Sequence, residues 1–283
     1  MSYITPFDPW KSPLCTCPPK YSLNPYTGCG HRCLYCYATA FIKNFYFPRL
    51  KKNFLKVVEN DLSKLPENSL ISLSNSSDPY QPLEEKYKFT QKFLEMLIGT
   101  SFKVLIITKS DLVLRDIKIL KKLKCAVSIT ITTFKYYQKL EPGAPSFERR
   151  VKAVEEFKKA DIPVSVRLDP IIPGLNENEV LEIFKILKDY VSHFTVSTYK
   201  AKPDSLKRLI KAFPEKAKLW EKLYLKEGEK IAGSKYLKKE LRIKLIKPLF
   251  ELAEKYKISI ATCREGIKEF ARPQKCDGSF LIR

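Results

Sequence analysis

The stretch Asn24-Pro-Tyr-Thr-Gly-Cys-Gly-His-Arg-Cys-Leu-Tyr-Cys-Tyr37 follows a short β-type run, Tyr21–Pro25, and leads into a segment that reads as helix. Within it Cys29, Cys33 and Cys36 form a C-x3-C-x2-C pattern. Three thiolates on one short loop can hold three corners of a cubane [4Fe-4S] cluster, leaving the fourth iron open to a chelating cofactor. The competing metal is zinc, with His31 or another cysteine closing a tetrahedral site. Zinc sites usually use paired C-x2-C elements, so a thiol loop straight after a first strand favours the cluster. His31, between the ligands, reads as a loop residue.

Working outward, further β-type runs occur at Leu70–Ser74, Lys103–Thr108, Ala126–Thr132, Pro163–Leu168 and Phe194–Thr198, with a last one at Ile258–Thr262. They are rich in Val, Ile, Thr and Ser and are bounded by Gly, Pro, Asn or charge. Between them, Phe89–Ile98, Leu112–Leu123, Phe147–Lys159 and Glu177–Tyr190 carry apolar residues at helical spacing. Parallel neighbours need long crossovers, so this alternation implies parallel strands with helices outside. Six or seven such units are too few to close an eight-fold barrel. The expected fold is therefore α/β, an open, partial TIM-like barrel of about six parallel β/α units. Chemistry is expected where the strands end.

The chain divides into three stretches. Residues 1–20 are an extension carrying Cys15 and Cys17, residues 21–200 form the barrel core, and residues 201–283 are a basic helical segment with a final strand and a cysteine-containing tail. The formal net charge of +21 fits a polyanionic partner such as a nucleic acid, because lysines and arginines displace counterions from phosphates. It equally fits lysine-rich, solvated helix faces. No apolar run reaches the roughly 18 residues of a transmembrane helix, and Met1-Ser-Tyr-Ile-Thr-Pro6 lacks the pattern of a secretory signal. A cytoplasmic protein is the expectation, and its eight cysteines then read as metal ligands or core residues rather than a disulfide framework. Cys15, Cys17, Cys263 and Cys276 stand near the two chain ends. They could share an auxiliary Fe-S cluster or a zinc ion, Cys263 could instead act as a catalytic thiol, or the four could be unrelated. Cys125, in an apolar run, reads as core packing.

The chain resembles the radical S-adenosylmethionine (SAM) superfamily, and within it the spore photoproduct lyase-like group. The resemblance runs from about Tyr21 to Tyr199. It rests on Asn24-Pro-Tyr-Thr-Gly-Cys29, Cys33-Leu-Tyr-Cys-Tyr-Ala38, Ser77-Asp-Pro-Tyr-Gln-Pro82, Thr108-Lys-Ser-Asp-Leu-Val-Leu-Arg-Asp116, Glu141-Pro-Gly-Ala-Pro145 and Pro170-Ile-Ile-Pro-Gly-Leu-Asn176. It implies a [4Fe-4S] cluster, SAM and an external one-electron reductant. It also implies an enzyme, lyase-like or transferase, that cleaves SAM reductively and removes a hydrogen atom from its substrate. Tyr35 then flanks the SAM adenine, and Ser76, Ser77 and Asp78 face its amino group. Lys109 serves the carboxylate or ribose, with Ser128, Thr130 and Arg167 as further polar contacts. By position at the strand ends, apart from the resemblance, Asp169 is a cofactor or substrate contact or else a structural loop cap, and Tyr199 and Lys200 are substrate-side candidates. Tyr37 keeps the family's tyrosine pattern beside the cluster, but Ser72–Asp78 contains no cysteine, where spore photoproduct lyase has its hydrogen-donating thiol. That departure weakens thymine-dimer repair and leaves SAM chemistry intact. Nucleic acid is the leading substrate class; a peptide or small metabolite, and a zinc-stabilised nucleic-acid-binding protein without catalysis, are the alternatives.

Overall fold

The computed structural model describes residues 2–7, 12–73 and 75–283. Its main sheet runs, in spatial order, through β1 (Ile4–Pro6), β2 (Tyr21–Leu23), β3 (Leu70–Leu73), β4 (Lys103–Thr108), β5 (Lys124–Thr130), β6 (Val164–Ile171), β7 (His193–Thr198) and β10 (Ser259–Thr262). Strands β2 to β7 and β10 are parallel to their neighbours, whereas β1 pairs antiparallel with β2. The sheet does not close, because β1 and β10 are its two edges. The architecture is thus the expected open, partial barrel, with seven parallel strands and one antiparallel strand at the edge.

Burial explains the composition of the strands. Strand β5 is buried throughout after Lys124, and a parallel strand covered on both faces reads as a near-continuous apolar run. Outside the sheet lie helices α1 (Phe54–Leu62), α2 (Phe89–Met96), α3 (Phe147–Lys159) and α4 (Glu177–Leu187), whose apolar stripes supply Val58, Phe93, Phe157 and Phe184 to one core with the strands. Helix α3 has the predicted bounds. Ser146 Oγ accepts a hydrogen bond from Arg149 N at its start, Glu148 lies in the first turn and Lys158 and Lys159 in the last, each favourable to the helix dipole.

Three expectations change. The cysteine loop leads into a single 3-10 turn, Ala38–Ala40, rather than an α-helix. Leu112–Leu123 is a 3-10 turn, Asp111–Asp116, followed by one α-turn, Ile117–Leu120. The buried carboxylate of Asp116 takes hydrogen bonds from Tyr80, Gln91 and Arg115 and fixes the junction. The basic stretch after Lys200 is helical at α5 (Pro203–Ala212) and α6 (Lys239–Lys255), but a hairpin of β8 (Glu229–Ile231) and β9 (Ser234–Tyr236) lies between them. Its two turn residues, Ala232 and Gly233, have φ of 45° and 71°, as a two-residue hairpin turn demands. Ser74, at the end of one predicted strand, lies outside the described residues.

Candidate active site

At the C-terminal ends of the parallel strands opens a cavity of about 470 Å³, lined by Cys29, Cys33, Cys36, Asn75 to Asp78, Lys109, Thr130, Arg167, Asp169, Thr198 to Lys200 and Cys263. Each β/α junction contributes to it, as the strand-end rule predicts. A more open depression of about 750 Å³ lies at the opposite strand ends, lined by Tyr21, Leu70, Lys103, several prolines and Lys275, with neither a thiol nor a carboxylate.

The cysteine loop is gripped from four sides. Cys29 N donates to Phe45 O (2.8 Å) and Leu34 N to Leu140 O (2.8 Å). Gln81 accepts from Gly30 N (2.9 Å) and donates to Gly28 O (3.0 Å). Tyr46 donates to Cys33 O (2.7 Å), while Arg208, from α5, donates to Leu34 O (3.0 Å) and Cys36 O (3.1 Å). These bonds satisfy the loop backbone without secondary structure and leave the thiols facing the cavity. Burial raises all three thiol pKa values, that of Cys29 to about 12. The peptide groups of Asp78 and His31 beside Cys29, and those of Ala38 and Thr39 beside Cys36, work against that rise and favour the thiolates. Three thiols lining one cavity, Cys29 buried and Cys33 and Cys36 partly so, two of them beside peptide groups that favour the thiolate, fit the donor set of a thiolate-ligated cluster. Among the described residues, no three His, Cys, Asp or Glu side chains already converge as a single metal ion requires.

Across from this loop, Asn24 Oδ1 accepts from the amides of Asn75, Ser76 and Ser77 (2.8–3.1 Å) and so shapes the strand-end loop. Ser77 Oγ bonds Tyr26 O (2.9 Å). Asp78 is engaged on both oxygens, with Tyr80 N (2.9 Å) and Thr108 Oγ1 (2.6 Å) on Oδ1, and Lys109 N (2.8 Å) and His31 Nδ1 (3.3 Å) on Oδ2. Burial opposes its charge, but His31, Thr108 and Lys109 outweigh burial and hold Asp78 at about 2. Asp78 therefore ties the cysteine loop to β4 rather than offering a free carboxylate.

Beneath the loop lies a buried charge group. Glu141 pairs with Arg150 (Nη1–Oε2 2.5 Å), accepts from the Tyr35 hydroxyl and Thr132 Oγ1 (2.9 Å), and has Lys109 Nζ at 4.0 Å. Lys109 also sits 5.6 Å over the Tyr35 ring. Two residues on, Gly143 N donates to His31 O (3.0 Å), and a Cβ at Gly143 would fall inside the contact distance of Gly30 O. Both partners are backbone, so neither can swing away. Gly143→Ala should displace the cysteine loop, lowering stability by about 1–3 kcal/mol and reducing iron incorporation; unchanged iron content and melting temperature would refute this.

The remaining predicted residues divide. Thr130, Arg167, Tyr35, Tyr37, Tyr199 and Lys200 line the cavity. Tyr37 donates to Asn75 O, Arg167 pairs with Asp169 (2.8 Å) and Lys200 with Glu265 (2.8 Å). Ser128 is fully buried, accepts from Ser165 Oγ (3.0 Å) and is not among the lining residues, because its place along β5 points it into the barrel below the cavity. Cys125 is buried in the core as expected, and Cys15, Cys17, Cys263 and Cys276 all reach the cavity. Sequence reading did not single out Gln81, Glu141, Arg150 or Arg208 as site residues. Gln81 and Glu141 lie in the motifs Ser77-Asp-Pro-Tyr-Gln-Pro82 and Glu141-Pro-Gly-Ala-Pro145, whereas Arg150 and Arg208 lie in no quoted motif.

The sequence profile described as the Radical SAM superfamily matches residues 23–187. An uncharacterized protein of Methanocaldococcus jannaschii is 36% identical over 169 residues, covering 57% of this chain and 64% of that protein. A radical SAM Nalpha-GlyT isomerase of Pseudomonas phage M6 is 24% identical over 256 residues, covering 85% of this chain and 53% of that one. The chain thus spans little more than half the length of the curated relatives it matches. Spore photoproduct lyase, solved with bound AdoMet and dinucleoside spore photoproduct, superposes with a TM-score of 0.68 at 18% identity, covering 86% of this chain and 75% of that one.

Proposed function

Because the chain belongs to the radical SAM superfamily and is therefore an enzyme of SAM-dependent radical chemistry, we propose that Cys29, Cys33 and Cys36 hold its [4Fe-4S] cluster and that its substrate is a nucleic acid. When bound, the cluster supplies one electron, received from an external reductant, that cleaves a C–S bond of SAM and yields the radical that removes a substrate hydrogen atom. The protein's own residues orient and enclose. The Tyr35 ring, anchored through its hydroxyl on Glu141, offers a flat apolar face beside the thiols. Lys109, held over that ring, and Arg167 offer cations to a carboxylate. The Ser76–Ser77 loop and Thr130 offer polar contacts, and Tyr37 stands on the substrate side.

The observation that carries the substrate class is the rim. Lys202 and Arg264 line the cavity and make no ion pair among the described residues; the Lys202 ammonium donates to Gly233 O and Arg264 lies 6.0 Å over the Tyr37 ring. Phe41 is 49% exposed, with Lys202 Nζ 4.8 Å over its ring. Cations flanking an exposed aromatic ring suit phosphates with a stacked base. Similarity to a fold solved with a dinucleoside lesion supports the class, while the absence of cysteine from Ser72–Asp78 argues against the same repair reaction.

Binding of a fluorescent single-stranded oligonucleotide should weaken steeply with salt. The joint variant Lys202→Ala/Arg264→Ala should flatten the log Kd against log salt slope by about 1–1.5, given a slope of about 0.7 per phosphate contact on single strands. Binding that ignores salt, or no binding, would turn the assignment toward a peptide or small metabolite.

A further inference from the structure

The superfamily's chemistry accounts for three of the eight cysteines, and four others meet on the same cavity wall from three separate parts of the chain. Cys17 Sγ and Cys276 Sγ are 3.1 Å apart. Cys15, two residues before Cys17, and Cys263 line the same cavity as that pair. The backbone holds them there. Gln274 N donates to Thr16 O (2.9 Å), joining the two terminal segments, and Cys263 N donates to Val196 O (3.0 Å). Thr195 Oγ1 donates to Cys276 O (2.9 Å). Lys20 and Asp277, both buried, form an ion pair next to Cys17 and Cys276.

Packing alone gives no reason for this convergence. A thiol is a small apolar group with a weak donor, and any aliphatic side chain would fill the same space at less risk of oxidation. Soft metal centres, by contrast, select thiolates. A tetrahedral zinc site with Zn–S of about 2.3 Å places its sulfurs roughly 3.8 Å apart, so Cys17 and Cys276, at 3.1 Å, need only part slightly to take two of its corners. Positive charge is already present: Lys20 and Arg167 favour the thiolate of Cys17, and Arg167 lines the same cavity as Cys263. As with Cys29, Cys33 and Cys36, these side chains do not yet converge on one point, and closing the set requires Cys263 and Cys15 to turn toward the pair.

We propose that Cys15, Cys17, Cys263 and Cys276 form a second, four-thiolate metal centre that fastens the two chain ends across the open side of the barrel and builds the cavity wall facing the cysteine loop. Zinc and an iron–sulfur cluster are two sources of the same ligand chemistry, and metal analysis separates them. The proposal does not depend on the function of the first site, so it is tested where that site has been deleted. The variant Cys29→Ala/Cys33→Ala/Cys36→Ala, purified anaerobically, should retain about one zinc or about four irons per chain. Adding Cys17→Ser and Cys276→Ser should abolish that metal and lower the melting temperature. Should the combined variant fail to fold, titrating the first variant with a coloured zinc or iron chelator gives the same answer, through stoichiometric release accompanied by destabilisation. Two results overturn the proposal: a first variant free of zinc and iron, or a Cys17–Cys276 disulfide without metal in non-reducing mass spectra.

Discussion

Cys33→Ala should yield a colourless protein that produces no 5′-deoxyadenosine from SAM under dithionite, a loss of at least about a thousandfold in rate, equivalent to about 4 kcal/mol. Cys33 is the middle ligand of C-x3-C-x2-C, so its removal leaves two thiols to hold what three would, with no fourth sulfur on the same loop to replace it. Folding should survive. The Cys33 carbonyl still accepts from Tyr46, and the flanking Leu34 amide still donates to Leu140; neither bond involves the side chain. The readouts are iron content, absorbance near 400 nm and product formation in anaerobic protein, beside a circular dichroism spectrum matching the wild type. Iron content and SAM cleavage that both persist in Cys33→Ala would remove the three-thiol assignment.

What made that loop legible is that its information is local. Three ligands within eight residues need no tertiary contact to be recognised, and a strand before them fixes the end of the barrel from which they project. The parallel strands were legible for a related reason: burial on both faces forces short runs rich in Val and Ile, which their length, β-branching and flanking Gly, Pro and charge identify. Legibility failed where a distant group decides the backbone. The turn at Asp116 depends on Tyr80 and Gln91, and the hairpin before α6 depends on Ala232 accepting a positive φ that its side chain disfavours. Ser128 has the residue type and strand position of a cavity contact, yet its depth along β5 turns it to Ser165. Gln81, Arg208 and Glu141 hold the cysteine loop from 50 to 170 residues away in sequence, and nothing in their own neighbourhoods announces that partner.

Glu141 is where this hidden support is greatest, and Glu141→Ala should cost about 3–5 kcal/mol, because removing one member of a buried ion pair strands the other. Both Glu141 and Arg150 are fully buried. Arg150 keeps its bonds to Pro145 O (2.8–2.9 Å) and Thr130 O (3.2 Å), but its charge, and that of Lys109, would lose the one carboxylate among the described residues that pairs with both. The carboxylate's pKa is depressed: burial works to raise it, and Arg150, Lys109 and the Tyr35 hydroxyl together prevail. A depressed folded-state pKa gives stability that is complete above the unfolded value of about 4.3 and is lost as pH falls through the folded one. Glu141→Gln should therefore lose less than Glu141→Ala and show a flatter stability curve in acid. Urea unfolding followed by circular dichroism, carried out in the Cys29→Ala/Cys33→Ala/Cys36→Ala background, keeps cluster loss out of the measurement. Replacing both partners, Glu141→Leu with Arg150→Met, should restore most of the stability, since an apolar pair of similar volume is often neutral. In the cluster-bearing protein that same double variant should still bind SAM poorly, because Tyr35 and Lys109 have lost the group that positions them. A double variant that regains stability and SAM affinity together would make Glu141 merely structural. One that regains stability alone separates positioning from folding. If Glu141→Ala stays within about 1 kcal/mol of the parent, the pair is not the buttress its geometry indicates.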